Sequence, residues 1–179
     1  PGKCTSVIRF ARREQQQKAV PESFQVRLSY LRPRITMGTR RKAREAALQF
    51  LFQDDFSAEL DPQLKAITDR FERFCALYQI SRKARPYALE LLSGIQERRV
   101  EVDRIIGDNA VNWRLERIAI ADRNLLRVGV YEMVFADDVP AQVAINEAVE
   151  IAKRFGSADS PAFVNGVLDA VRVNQRHGD

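Results

Sequence analysis

The residues best suited to binding chemistry are cations, four of which occupy five consecutive positions of the 179-residue chain. Guanidinium and ammonium groups at this density are typical of contacts with nucleic-acid phosphates. A short charge run can also be the solvated face of a helix. This run opens a predicted helix, where the helix dipole disfavours each cation by roughly a few tenths of a kcal/mol, so a binding role is favoured. The four residues are Arg40, Arg41, Lys42 and Arg44.

Groups that could hold a metal or act as a general base are few. The chain has one histidine, His177, and two cysteines, Cys4 and Cys75. A structural zinc site needs about four such ligands, and a disulfide framework needs several cysteine pairs, so neither is expected. With its one histidine near the end, the chain also lacks the usual general base for a Ser or Cys nucleophile. We therefore expect no metal and no cofactor, and the reducing cytoplasm as the compartment.

One pair of carboxylates could suggest catalysis. Glu147 and Glu150 lie three residues apart on one face of a predicted helix. Lys153 and Arg154 follow Glu150 at the spacing of helical ion pairs, which favours a solvated charged face. Glycine-rich phosphate loops and the G-x-S-x-G nucleophile motif do not occur in the sequence. The sequence therefore predicts that the protein is not an enzyme.

The net charge of +5 is concentrated at the start of the chain. Residues 1–36 hold eight Lys or Arg against two Glu, whereas the remaining residues hold 21 Lys or Arg against 22 Asp or Glu. The first segment shows no sustained period, so we predict a disordered or non-native extension. One hypothesis is that Met37 is the initiator of the native protein, which an intact-mass measurement would decide. The predicted organisation is an extension at 1–36, a helical domain at 37–173 and a tail at 174–179.

From residue 37 onward, apolar residues recur every three to four positions between prolines and small polar residues. That period predicts helices, and no segment alternates strictly enough to predict a strand. The longest uncharged apolar run is far below the roughly 20 residues that span a bilayer. We expect about seven helices in an all-α bundle, with Leu126, Ile145 and Trp113 in packed positions. The predicted helices cover 40–54, a segment opened by Asp61-Pro62, a segment opened by Pro86 and running as far as Val102, short pieces at 103–106 and 113–118, a segment capped by Asp122, residues 142–155 ended by Gly156, and a last segment from Ser160-Pro161.

Several ordered blocks of the sequence carry a resemblance to a known family. The first is residues 40–49, RRKAREAALQ, and the longest is residues 143–153, VAINEAVEIAK. Together the blocks extend from Thr39 to about Val171, and they resemble the NusB family of transcription antitermination factors. The shorter blocks are Leu126-Arg127, Tyr131-Glu132, Val139-Pro140, Phe155-Gly156 and FVNGVL at 163–168.

The resemblance implies seven helices in two packed sub-bundles, with the helices before about Ile106 in the first. It implies a transcription antitermination protein without catalytic activity, which pairs with NusE, a small-subunit ribosomal protein. The pair is expected to bind the single-stranded boxA element of ribosomal RNA leaders and to modulate termination by RNA polymerase together with further Nus factors. Bacterial relatives include monomers and homodimers, and the sequence favours neither state.

The resemblance also assigns site residues by matching positions. The four cations fall on the family's arginine-rich RNA-binding motif, and Phe52 stands where the family commonly has Tyr. Phe163 belongs to the FVNG block and is assigned either RNA binding or core packing. Because Arg41 and Arg44 oppose the helix dipole, replacing both with Ala is expected to weaken RNA binding without lowering stability. The residues implied to face NusE are Asp122, Arg123 and Asp159, although the two aspartates could also be helix caps.

Two other functions stay open at this stage. The chain could be the NusB-like RNA-binding domain of a ribosomal RNA cytosine methyltransferase, an enzyme with a further S-adenosylmethionine-binding domain. It could also be a helical protein-interaction adaptor in which the basic run is incidental. A binding assay with single-stranded RNA distinguishes the adaptor from an antitermination factor.

Overall fold

The computed structural model describes residues 38–57 and 66–175, and within them every regular element is a helix. The all-α prediction is confirmed, with seven α-helices in this part of the chain. Predictions for residues 1–36, for the helix start at Asp61-Pro62 and for the end of the tail lie outside the described residues. Each described helix is too short or too polar to cross a membrane. The helices are α1 (Thr39–Ser57), α2 (Ile67–Leu77), α3 (Arg85–Glu97), α4 (Arg99–Asn109), α5 (Ile120–Val134), α6 (Ala141–Phe155) and α7 (Ser160–Gln175), with a 3-10 turn at Leu115–Arg117.

The first of two hydrophobic cores is formed by α1, α2 and α3. Phe50 of α1 meets Phe71 and Phe74 of α2 edge to face, with ring centroids 5.5 Å apart in both pairs. Such pairs contribute about 0.5–1.5 kcal/mol beyond simple burial, so they fix how α2 lies on α1. The α3 residues that complete this core are Leu91, Leu92 and Ile95.

The second core joins α4, α5, α6 and α7. Leu126 and Ile145, both predicted as core residues, are fully buried in it, so these predictions are confirmed. The expected boundary between the two halves is wrong for α4, because Val102, Ile105 and Ile106 all belong to the second core. The physical reason is a break at Arg98, where α3 ends and the chain turns so that α4 packs against α5 and α7.

Helix α5 contacts both cores and joins them. Val128 packs in the first core, while Leu125 and Leu126 pack in the second. The close approach of α3 to α5 depends on a glycine, because a Cβ at Gly94 of α3 would lie 2.1 Å from the ring of Tyr131 on α5. This central position lets polar side chains of α5 meet those of α1.

Two helix ends differ in detail from the prediction. Helix α5 begins at Ile120, so Asp122 is not its N-cap and lies buried in the first turn. Helix α6 ends at Phe155 as predicted, and Gly156 follows it with an extended φ of −96° instead of a left-handed one. Glycine is required there for space, since a Cβ would lie 2.4 Å from Ser160 Oγ.

Candidate nucleic-acid interface

The first turn of α1 carries the predicted cations and no acidic residue. The helix forms because an alanine-rich stretch with high helix propensity follows, and Ala43, Ala46 and Ala47 are buried against the first core. Between this turn and α6 lies a cleft of about 700 Å³, called the α1 cleft below. Its principal lining residues are Arg40, Arg41, Pro140, Val143, Glu147 and Glu150.

Arg41 is bound at the edge of this cleft by a carboxylate of α6. Its Nε and Nη2 atoms donate to the two oxygens of Glu147, at 2.7 and 2.5 Å. This two-bond geometry is the strong form of an arginine–carboxylate pair. The hydrogen bond from Arg41 holds the pKa of Glu147 below its ordinary value, although partial burial opposes that shift. Both side chains keep part of their surface exposed, so the pair lies at the boundary between protein and solvent.

Arg44 lies one layer deeper and is buried. Its Nε donates to both oxygens of Glu132 at 2.8 and 2.9 Å, and its side chain is 4% exposed. The hydroxyl of Tyr87 donates to the same carboxylate, and burial together with this bond raises the pKa of Tyr87. The Arg44 guanidinium also reaches Glu147 at 3.4 Å. These contacts argue against the expectation that Arg44 can be replaced without loss of stability.

Arg40 and Lys42 differ from the two other cations. Arg40 forms an ion pair with Asp138 in the loop after α5, both side chains are about half exposed, and its guanidinium lies 5.0 Å from the centre of the Tyr87 ring. Lys42 is partly buried and has no ion pair with any residue that the structure describes. Arg40, Arg41 and Lys42 therefore reach the surface, with Arg44 beneath them.

Other charges around the α1 cleft are also paired. Arg154 donates to the buried carboxylate of Glu45, whose pKa burial raises. Glu150 accepts from Lys153 at 2.5 Å, which is the helical ion pair that the sequence predicts. The basic run is thus largely neutralised by carboxylates of the same chain.

A second cleft, of about 290 Å³, lies beside the start of α7 and is called the aromatic cleft below. Trp113 and Phe163 meet there, with ring centroids 5.9 Å apart and planes at 71°. Of the two packed positions predicted for Trp113, in the core or against a helix, the core position is wrong, because Trp113 stands in the loop after α4 and is 53% exposed, whereas its ring does contact a residue of α7. Phe163 is half-buried, so it contacts the second core and the cleft together. The polar lining residues are Arg117, Asp122, Ser157, Asp159 and Ser160.

A short hydrogen-bond chain shapes one wall of the aromatic cleft. Ser160 Oγ donates to the Asp122 carboxylate at 2.9 Å and accepts from the Ser157 backbone N–H at 2.8 Å. Burial raises the pKa of Asp122, and the Ser160 hydroxyl partly offsets this. Asp159 lies immediately before the start of α7 and is exposed. The structure therefore brings Asp122, Asp159 and Phe163 to one cleft.

Arg123 does not line the aromatic cleft, unlike Asp122, its neighbour in sequence. Its Nη2 donates to Asp55 at the end of α1 at 3.2 Å, and Asn124 Nδ2 donates to the same oxygen at 2.9 Å. Arg99 lies 3.3 Å from Asp55 and Arg127 lies 3.6 Å from it. Burial alone would raise the pKa of Asp55, but the bonds from Asn124 and Arg123 hold it below its ordinary value.

Phe52 lines neither cleft. It is partly buried and packs at a tilt on Phe56, with ring centroids 5.4 Å apart. The helical rise puts it about 12 Å along α1 from Arg44.

Four residues belong to these sites although the sequence analysis did not assign them there, and one of the four, Glu147, was considered only for catalysis. They are Glu132, Asp138, Glu147 and Trp113.

Comparison with known sequences gives one consistent result. A sequence model described as the NusB family matches residues 41–172. The chain is 58% identical over 137 residues to the transcription antitermination protein NusB of Desulfotalea psychrophila, which covers 76% of this chain and 97% of that protein. It is 43% identical over 136 residues to the protein of the same name from Geobacter sulfurreducens, covering 75% and 94%.

Solved structures share the fold. The NusB of T. maritima superposes with a TM-score of 0.65 at 34% identity, covering 76% of this chain and 92% of that one. A complex described as the antitermination factors NusB and NusE with dsRNA gives a TM-score of 0.66 at 25% identity, covering 78% and 99%.

Proposed function

Since this chain belongs to the NusB family, we propose that it is a transcription antitermination factor that binds the boxA RNA of ribosomal RNA leaders together with NusE. The observation that carries this proposal is the family match over residues 41–172, which includes the aromatic cleft and the lining of the α1 cleft except Gly38 and Arg40. In this role the protein modulates termination by RNA polymerase with other Nus factors in the cytoplasm, and it catalyses no reaction itself. The two antitermination proteins reported above are matched over 97% and 94% of their length, which favours this function over that of a methyltransferase domain.

The α1 cleft supports the contacts with RNA phosphates. Arg40 and Arg41 line it and Lys42 reaches the surface on the same turn of α1, and guanidinium and ammonium groups are the usual partners of the RNA backbone. We assign Arg44 a positioning role, because its ion pair with Glu132 holds the start of α1 against α5.

The aromatic cleft supports the contacts with unpaired bases. Single-stranded RNA is commonly bound by stacking splayed bases on aromatic side chains, each stack contributing about 1–3 kcal/mol. We assign this role to Phe163 and to the exposed Trp113 beside it. Phe52 is retained as a third aromatic contact, further along α1.

We propose that NusE binds near the same end of α7. Asp159 is exposed and is assigned a direct contact. Asp122 and Arg123 are assigned indirect roles, because Asp122 holds Ser160 and Arg123 holds the end of α1 through Asp55. A substitution at Asp159 should therefore weaken NusE binding more than a conservative substitution at either of the others.

The central test is a binding experiment with the full chain and the NusE of the same organism. Fluorescence anisotropy is measured with three RNAs of equal length: a boxA-containing single strand, its scrambled version and the boxA strand annealed to its complement. The duplex is included because the similar solved complex contains dsRNA. We expect the boxA single strand to bind most tightly and NusE to strengthen that binding.

Each alternative gives a different result. A helical adaptor would bind NusE and none of the RNAs. Failure to bind NusE with and without RNA would refute the proposed function. Trp113→Ala and Phe163→Ala should each weaken boxA binding, whereas Val111→Ala, at an exposed residue two positions before Trp113, serves as the matched control.

A further inference from the structure

The surface cations of the α1 cleft already have anionic partners within the chain. Arg40 is paired with Asp138, and Arg41 is paired with Glu147. Resting on the proposed function, we propose that Asp138 and Glu147 are built-in competitors of RNA phosphate that hold sequence-independent RNA binding down. Neither carboxylate is needed to fill a core, since both keep contact with solvent.

At Arg41 the competition is between the Glu147 carboxylate and an RNA phosphate for the same guanidinium. A guanidinium can bind an anion with two bonds at either of two edges, and Glu147 occupies the edge formed by Nε and Nη2. A phosphate must therefore displace Glu147 or bind the other edge beside it. In both cases the arriving anion meets the negative charge of Glu147, which weakens phosphate binding.

The ion pair between Asp138 and Arg40 is more easily broken than the pair between Glu147 and Arg41. The two side chains are about half exposed, and exposed ion pairs of this kind are weak. The Tyr87 ring lies 5.0 Å from the Arg40 guanidinium, so Arg40 keeps a second contact that can orient it when Asp138 leaves. Asp138 therefore tunes the strength of the phosphate contact without being required for the position of Arg40.

The consequence is measurable as a salt dependence. A free cation that binds single-stranded RNA steepens the log–log salt slope by about 0.7, because the phosphate releases a condensed counterion. A paired arginine gives less, since the carboxylate beside it cancels part of its charge and fewer counterions are released from the RNA. Four unpaired cations would give a slope near −3, and we expect the folded body to contribute distinctly less than that.

The experiment measures the affinity of the full chain for scrambled and boxA single-stranded RNA at three salt concentrations. The variants are Asp138→Asn and Glu147→Gln. The matched controls are Asp108→Asn and Glu101→Gln, which remove the same charge from exposed arginine pairs on α4, outside the α1 cleft. Thermal melts check that each variant is folded, and Asp138→Asn, at an exposed residue, keeps the test valid if Glu147→Gln is unstable.

We expect both cleft variants to bind scrambled RNA about three- to tenfold more tightly, with a steeper salt slope, and both controls to change less than twofold. Equal effects of cleft and control variants would overturn the proposal, because they would reflect net charge alone. Weaker binding by the cleft variants would also overturn it, since the carboxylates would then position the arginines. If the unmodified chain binds no RNA, the proposed function fails, and this proposal fails with it.

Discussion

The two ends of α1 hold ion clusters of opposite arrangement. At the first turn the helix supplies arginines, and the carboxylates Glu132, Asp138 and Glu147 come from other elements. At the last turns it supplies Asp54 and Asp55, and the arginines come from α2, α4 and α5. Both ends oppose the helix dipole, which favours anions at the start and cations at the end. Tertiary partners therefore neutralise what the helix alone would disfavour.

The two ends differ in the exposure of one pair, since the Arg40 and Asp138 side chains are 53% and 51% exposed and none of the described ion pairs at the far end is as exposed. Asp55 accepts hydrogen bonds from Arg99, Arg123 and Asn124, so its oxygens are already occupied and that cluster is closed to a ligand. At the first turn the Arg44 side chain is 4% exposed, the Arg41–Glu147 pair is intermediate, and the Arg40–Asp138 pair is about half exposed. The comparison teaches that two clusters of similar charge density can differ in which side chains solvent reaches, and at the first turn the most accessible pair is Arg40 with Asp138.

The largest effect is expected for Arg44→Ala, which tests the buried layer of the first cluster. The change leaves Glu132 buried without its cation, and breaking such a pair typically costs about 3–5 kcal/mol. Urea denaturation measures the loss. Arg40→Ala, at the exposed pair with Asp138, is the control and should change the free energy of unfolding by less than about 1 kcal/mol. Equal losses would show that exposure does not separate these arginines.

Asp55→Asn tests the closed cluster and should cost about 1–3 kcal/mol at neutral pH, because its hydrogen bonds are charge-assisted. The pKa of Asp55 is lowered in the folded protein, so its contribution is complete above the ordinary Asp value. That contribution is lost as the pH falls through the lowered folded value. Melting temperatures of variant and parent should therefore converge in acid, and curves that stay parallel would contradict a charge-based role.

A comparison of Lys42→Ala with Arg99→Ala tests the two ends in RNA binding. Lys42 is unpaired among the described residues, so its loss should weaken binding about three- to tenfold and flatten the salt slope by about 0.7. Arg99 belongs to the closed cluster, and its replacement should change RNA affinity less than twofold. Anisotropy titrations at several salt concentrations measure both. A matching loss for Arg99→Ala would mean that the far end of α1 also contacts RNA.

The smallest effect is expected for Asp122→Asn. Asp122 is a buried carboxylate outside both ion clusters of α1, so this variant is a reference for the effects of changing either cluster. Asparagine has the same shape and keeps an acceptor for Ser160 Oγ, so the free energy of unfolding at neutral pH should change by less than about 1 kcal/mol. Because burial raises the pKa of Asp122, the parent protein should gain stability as the pH falls through that raised value. The variant should lack this gain, and thermal melts at neutral and mildly acidic pH measure the difference.

Local features of the sequence were sufficient to predict most of the helices and to indicate the family. Pro86 and Ser160-Pro161 mark helix starts that the structure confirms, because proline favours the first turn and cannot continue a helix. A pattern was also available for the buried arginine. Arg44, Leu48, Leu51 and Asp55 recur at the spacing of one helix face, and this face packs against α5.

Sequence alone determined that α1 is a helix with cations at its start, since propensity and periodicity act between residues a few positions apart. Only the tertiary structure decided which cations stay exposed. The partner of Arg41 lies 106 positions away and that of Arg44 lies 88 positions away, and both are set by how α5 packs on α1 and α6 packs on α5. Trp113 is exposed for a similar reason, because a short loop after α4 carries it past the second core. Local patterns define which residues share a face, but the packing of distant helices determines what that face meets.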